Sequence, residues 1–185
     1  ALNNVEIRSL GGFAGQACRV SVSNGAVMLG DVRSVYDYIP SDDEWARVPL
    51  SDEEIQLYSD SVGYIAGNTC FIPDFPRVCD IWGQLWATFQ GEYVDGIIAL
   101  DPVLLQMLMA LTGGAQMYDG TRLDGTNTVR VLLHDTYWNY MDDAEAMDAY
   151  FAQAASTALD CIMANFSSMS FSGLEQTISD AIDQY

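Results

Sequence analysis

The sequence predicts a mixed α/β domain, with α+β as the alternative: a mixed sheet that carries an N-terminal hairpin and is covered by helices. Two kinds of local signal and the overall composition lead there. Asn24-Gly25 lies between two apolar-polar stretches, and Asn-Gly readily takes the positive φ values of a two-residue hairpin turn. Helix openings recur along the rest of the chain, at Ser51, Asp74, Asp101, Asp142 and Ser172. Half of the 185 residues are hydrophobic, enough for a real core, and the length suits one domain over residues 1–185.

In chain order, Gln16 to Ser23 alternates as a strand, and Ala26 to Val32 returns after the turn. Tyr38 to Leu50, with Pro40 and Pro49, reads as loop. Ser51-Asp-Glu-Glu54 is a capping box, opening a helix expected to reach about Val62. Gly63 to Pro73 is irregular. Asp74 caps the next helix, with Pro76 in its first turn and Gly91 at its end. Val78, Trp82, Leu85, Trp86 and Phe89 share one face of it.

Val94 to Leu100 reads as a buried strand. Asp101 then caps a helix with Pro102 at its first position and Gly113-Gly114 at its close. The stripe Met107, Leu108 and Leu111 is expected in the core. Ala115 to Tyr118 suggests a short strand, Asp119-Gly120 a turn, and Thr126 to His134 a helix. A long helix follows from Asp142-Asp-Ala-Glu145 to about Phe166, and Ser172-Gly-Leu-Glu175 caps the last one.

Charge narrows the functions. The net charge is −19, and all seven basic residues are arginines. Such a chain repels nucleic-acid phosphates, and a basic membrane-binding face is not expected. Without lysine there is no Walker phosphate loop. Gly11-Gly12-x-x-Gly15 precedes a strand instead of opening a helix, so it is not a dinucleotide loop. One histidine and no C-x-x-C pair argue against zinc, and no Gly-x-Ser-x-Gly motif supports a hydrolase triad. Cys18, Cys70, Cys79 and Cys161 allow three full pairings. Cys70 and Cys79 suit a short disulfide loop, whereas Cys79 and Cys161 also suit buried thiols on helices.

Several polar residues are candidates for a site. Asn3, Asn4, Glu6 and Arg8 precede Gly11-Gly12, either as a binding pocket or as an internal ion-pair network. Asp101 and Asp74 stand at strand or loop ends where ligands gather, and both also fit ordinary helix caps. With Asp95 they are the oxygen donors that a divalent cation such as magnesium would take. His134-Asp135 joins Tyr137, Trp138 and Tyr140 in a polar-aromatic cluster: the histidine is either a general base or a helix-terminal residue, and the aromatics either a carbohydrate-facing platform or, as preferred, the rim of the core.

Asn3-Asn4-Val5-Glu6-Ile7-Arg8, followed by Gly11-Gly12-Phe13, resembles the signature of the bacterial domain of unknown function 4012 family. Pro73-Asp74-Phe75-Pro76, Val94 to Pro102 and Leu111-Thr112-Gly113 are also similar to it, in the family's order. The resemblance implies an extracytoplasmic domain at the surface of a Gram-positive bacterium. It also implies an upstream strand and membrane anchor before Asn3, so that the membrane is met only through a segment outside this chain.

That family in turn is distantly similar to the LytR-CpsA-Psr enzymes, which move polymers from a polyprenyl-phosphate lipid to the cell wall and hold pyrophosphate with arginines. The hairpin, the α/β unit ending in Gly-Gly and Leu123-Asp124-Gly125 carry this similarity, which implies the same architecture. Arg33 stands where one of those arginines would. Leu133 and Asp135 stand where two others would, and neither is basic.

The expected function is therefore binding of a cell-wall glycan or polyprenyl-phosphate-linked precursor without efficient catalysis, with Asn4, Glu6, Arg8, Arg33, Asp74 and Asp101 as ligand-binding residues. The alternatives are a phosphotransferase using Arg8, Arg33 and a divalent ion, and a protein-protein interaction module.

Overall fold

A computed structural model of the protein describes residues 2–3, 12–41 and 44–183. It is a mixed α/β structure in which helix predominates and the sheets are small and antiparallel. The chain forms two compact units, Ala1–Ala99 and Leu100–Tyr185.

In the first unit, β1 (Leu2–Asn3), β2 (Ala14–Ala17) and β5 (Arg33–Ser34) form one sheet in the order β1-β2-β5. β3 (Val20–Ser23) and β4 (Ala26–Leu29) form a separate hairpin. Its turn is the expected one: Asn24 and Gly25 have φ of 51° and 80°. The predicted long strand from Gln16 to Ser23 is thus two strands, broken at Cys18-Arg19, and each serves a different sheet. The return strand stops at Leu29, short of Val32.

A one-turn helix, α1 (Val35–Tyr38), leads to α2 (Asp52–Tyr58). Ser51 and Glu54 close the predicted capping box: the Glu54 N–H donates to Ser51 Oγ (3.1 Å) and the Ser51 N–H to Glu54 Oε2 (2.7 Å). The helix ends four residues before Val62, because Ser59 takes a left-handed φ of 73° and a 3-10 turn, Asp60–Gly63, follows. α3 (Phe75–Gln90) starts at its Asp74 cap and stops at left-handed Gly91. Val78, Ile81, Trp82, Leu85 and Trp86 lie buried along it and meet Val35, Ile39 and Val62 in the core of this unit.

Val94 to Ala99 is not a strand. Val94 and Ile97 tuck against the core of the first unit while Ile98 is 66% exposed. Asp95-Gly96 are poor strand formers, and apolar side chains three apart do not keep a period of two.

The second unit begins with α4 (Pro102–Thr112), capped by Asp101 and closed by left-handed Gly113. Its buried residues are Pro102, Leu105 and Met109; of the predicted stripe Leu108 packs against the core of this unit, while Met107 and Leu111 are only half-buried. β6 (Ala115–Gln116) and β7 (Arg122–Leu123) form a hairpin through Asp119-Gly120. One continuous helical run follows: α5 (Thr128–Arg130), a π turn (Val131–Asp135) and α6 (Thr136–Asn139). α7 (Ala144–Asn165) is capped by Asp143, and its Tyr150, Ala154, Ala158 and Ile162 pack with Leu123 and Val131.

α8 (Phe171–Ile182) is capped by Ser170 rather than Ser172. The Ser170 hydroxyl accepts from the Gly173 N–H at 3.1 Å, and a Cβ on residue 173 would stand only 2.7 Å from that oxygen. The glycine admits the earlier cap. No helix among the described residues is long and apolar enough to cross a membrane.

Candidate functional site

Asn4, Glu6 and Arg8 lie outside the described residues. Arg33 is at the start of β5, exposed, and ion-paired with Asp31, which also raises its pKa. Its guanidinium lies 5.9 Å from the centre of the Tyr38 ring, which stacks on Trp86 at 5.0 Å. The Tyr38 hydroxyl donates to the Asp31 carbonyl at 2.6 Å, and burial pushes its own pKa up. Arg33 is therefore held at the foot of the hairpin by a short local network.

Asp74 and Asp101 act as helix caps. Asp74 Oδ1 accepts from the Arg77 N–H at 3.4 Å, and Asp101 Oδ1 from the Leu104 N–H at 2.8 Å. Asp101 is 8% exposed, and with no strand before it the sheet-end argument for a ligand there falls away. Among the described residues no three His, Cys, Asp or Glu side chains gather to hold a metal ion, so Asp74, Asp95 and Asp101 do not form such a group. The four cysteines are thiols, Cys70 buried and the others half-buried.

Each described arginine faces a carboxylate. Besides Arg33, the pairs are Arg19–Glu92 (2.9 Å), Arg47–Asp60 (2.7 Å), Arg77–Glu54 (2.6 Å), Arg122–Asp124 (3.8 Å) and Arg130–Asp135 (3.5 Å). Arg77 also meets Asp80 at 2.5 Å and donates to the Pro49 carbonyl at 2.9 Å. A guanidinium already holding a carboxylate must exchange that partner to grip a phosphate bidentately.

The most developed polar-aromatic arrangement is on the α5–α6 run. Thr128, Val131, Leu132 and Thr136 are its buried residues. In a regular α-helix Asp135, seven residues after Thr128, would fall on that buried stripe. The π turn over Val131–Asp135 adds a residue to the turn and puts Thr136 there instead, with its hydroxyl donating to the Val131 carbonyl at 2.7 Å.

Asp135 turns outward, two-thirds covered, between Arg130 Nε (3.5 Å) and His134 Nδ1 (2.8 Å). Arg130 and Asp135 are five apart, a spacing that faces across a π turn and splays by about 140° in an α-helix. His134 lies parallel to the Trp138 indole, centroids 6.5 Å apart and planes within 3°. Trp138 is 74% exposed.

Sequence reasoning found His134, Asp135 and Trp138 but assigned the aromatics to the core. Tyr140 does pack there, beside Tyr150 at 5.3 Å. Tyr137 lies at the rim, 39% exposed with its ring 5.4 Å from that of Phe151, whereas Trp138 is open to solvent. Arg130 was missed because its Asp135 partner is five residues on, a spacing that is not an α-helical contact.

A bonded carboxylate, an imidazole, a guanidinium and an open indole face make a shallow surface with hydrogen-bonding groups beside an apolar plate. The chain matches, over residues 1–137, the family model described as protein of unknown function (DUF4012). It is a member of that family. The match in this DUF4012 chain covers the whole first unit and the second as far as Tyr137, including Arg130, His134 and Asp135. No curated protein and no solved structure matches it.

Proposed function

We propose that this DUF4012 domain binds a cell-wall glycan or a lipid-linked wall precursor, without efficient catalysis, on the extracytoplasmic face of a Gram-positive envelope. The Trp138–His134 ring pair beside Asp135 and Arg130 carries this reading. An exposed indole face stacks on the C–H face of a sugar ring, and the adjoining carboxylate, imidazole and guanidinium meet its hydroxyls. The arginine pairing supports binding over phosphoryl transfer, since each described guanidinium already has a carboxylate partner. The envelope setting rests on the family resemblance.

The test is calorimetric titration with soluble peptidoglycan fragments and neutral wall oligosaccharides, comparing the native chain with Trp138→Ala and Asp135→Asn. Binding that falls at least tenfold in Trp138→Ala supports the reading. Absence of binding by the native chain, or equal binding by Trp138→Ala, refutes it.

A further inference from the structure

The β3–β4 hairpin has an apolar side that stays exposed among the described residues. Val20 is paired directly with Leu29, and Val22 with Val27, so these four side chains share one face. Val20, Val22 and Val27 are 44%, 69% and 42% exposed, and Met28 on the opposite face is 59% exposed. The hairpin is a two-stranded sheet of its own among the described residues. Such a ribbon is marginal in water without something against its apolar face.

Its charge differs from that of the chain. From Arg19 to Gly30 there is no acidic residue, in a protein of net charge −19. Two arginines mark its root. The Arg19 carbonyl accepts from the Gly30 N–H at 2.8 Å, and Arg33 pairs in register with Ala17 on β2. Their side chains remain 55% and 53% exposed beside Glu92 and Asp31.

We propose that this hairpin is a contact for a phospholipid interface, with the valines and Met28 among the upper acyl chains and with Arg19 and Arg33 exchanging Glu92 and Asp31 for the lipid phosphates. Four residues per strand reach about 13 Å from root to tip, which matches an interfacial insertion of about 5–10 Å with the root left in the headgroups. The outer strand edges need water for their backbone groups, so the ribbon lies in the interface and does not enter the hydrocarbon centre.

A second copy of the chain is the less fitting occupant. Two partners of charge −19 repel each other, and eight strand residues fall short of the roughly 800 Å² per partner of a stable interface. The inference is independent of the glycan reading, because it uses neither Trp138 nor its neighbours.

The experiment is flotation of the native chain with phosphatidylcholine vesicles at low ionic strength, beside Val22→Ser/Val27→Ser and Arg19→Gln/Arg33→Gln. Because Val22 and Val27 are exposed, the serine variant retains the fold, which circular dichroism verifies. The native chain is expected to co-float, the serine variant to partition about tenfold less, and the glutamine variant several-fold less. Failure of the native chain to float, or flotation unchanged in the serine variant, overturns the proposal. So does a concentration-dependent dimer that the serine variant abolishes without any vesicle binding, which would assign the hairpin to self-association.

Discussion

Glu54 offers the sharpest test of how the first unit is held together. Its carboxylate takes the Ser51 N–H at the start of α2 and two guanidinium nitrogens of Arg77 from α3, at 2.6 and 3.2 Å. The Arg77 hydrogen bond, then the Ser51 N–H, hold its pKa at about 2 against an ordinary 4.5. That difference sets a ceiling of about 3 kcal/mol on what ionisation contributes to folding. A fifth of the Glu54 side chain and a quarter of Arg77 stay open to water, so screening brings the expected value to about 1.5 kcal/mol. Glu54→Gln keeps the shape and the cap acceptor while removing the charge. Its melting temperature at neutral pH should fall by about 3–6 °C.

The pH dependence follows from the depressed folded pKa. The contribution is complete above the unfolded value near 4.5, and it disappears as pH falls from there through about 2. Urea unfolding followed by far-ultraviolet circular dichroism, for both proteins across that range, measures it. Equal midpoints at neutral pH would refute the reasoning, as would a gap that persists undiminished near pH 2.

Gly67→Ala would place a Cβ 2.1 Å from the Phe13 ring and 2.8 Å from the Tyr36 hydroxyl, so it should destabilise by about 1–3 kcal/mol in urea titration. Gly83→Ala, inside α3 with open space around the new methyl, should stabilise by about 0.5–1 kcal/mol in the same assay. Asp101→Ala should lose about 1 kcal/mol through the vacated Leu104 N–H, and Asp101→Asn should recover most of it, with glycan titrations unchanged in both. Burial pushes the Cys18 and Cys79 thiols up, so native-state alkylation should be slow at both and complete only on unfolding, as read by intact mass.

What could be read from the sequence was the chemistry of element ends. Ser51 with Glu54, Asp74 with Pro76, Asp101 with Pro102 and the Asn24-Gly25 turn each depend on neighbours within four residues, and each appears where expected. What was not legible depended on partners distant in sequence. Val94 to Ala99 has the composition of a strand, but no described strand pairs with it, and its apolar side chains anchor to the core instead. The end of α2 turns on Ser59 adopting a left-handed φ that its residue type does not announce. For the site, His134, Asp135 and Trp138 stood out as residue types, yet their outward placement depends on a π turn that α-helical periodicity cannot reveal. Arg33 is where hairpin chemistry put it, and its Asp31 partner two residues away was overlooked.

The π turn has a consequence for engineering. Thr128, Val131, Leu132 and Thr136 would stand at i, i+3, i+4 and i+7 if one residue between Leu132 and His134 were deleted, the spacing of an uninterrupted amphipathic helix. A chain lacking Leu133 can therefore close the regular hydrogen-bond ladder with the same four residues inward. The additional residue is dispensable for burying this face, and what it changes is the angle at which a carboxylate, an imidazole and an indole meet the solvent. The shortened chain separates the two demands: folding kept, presentation altered.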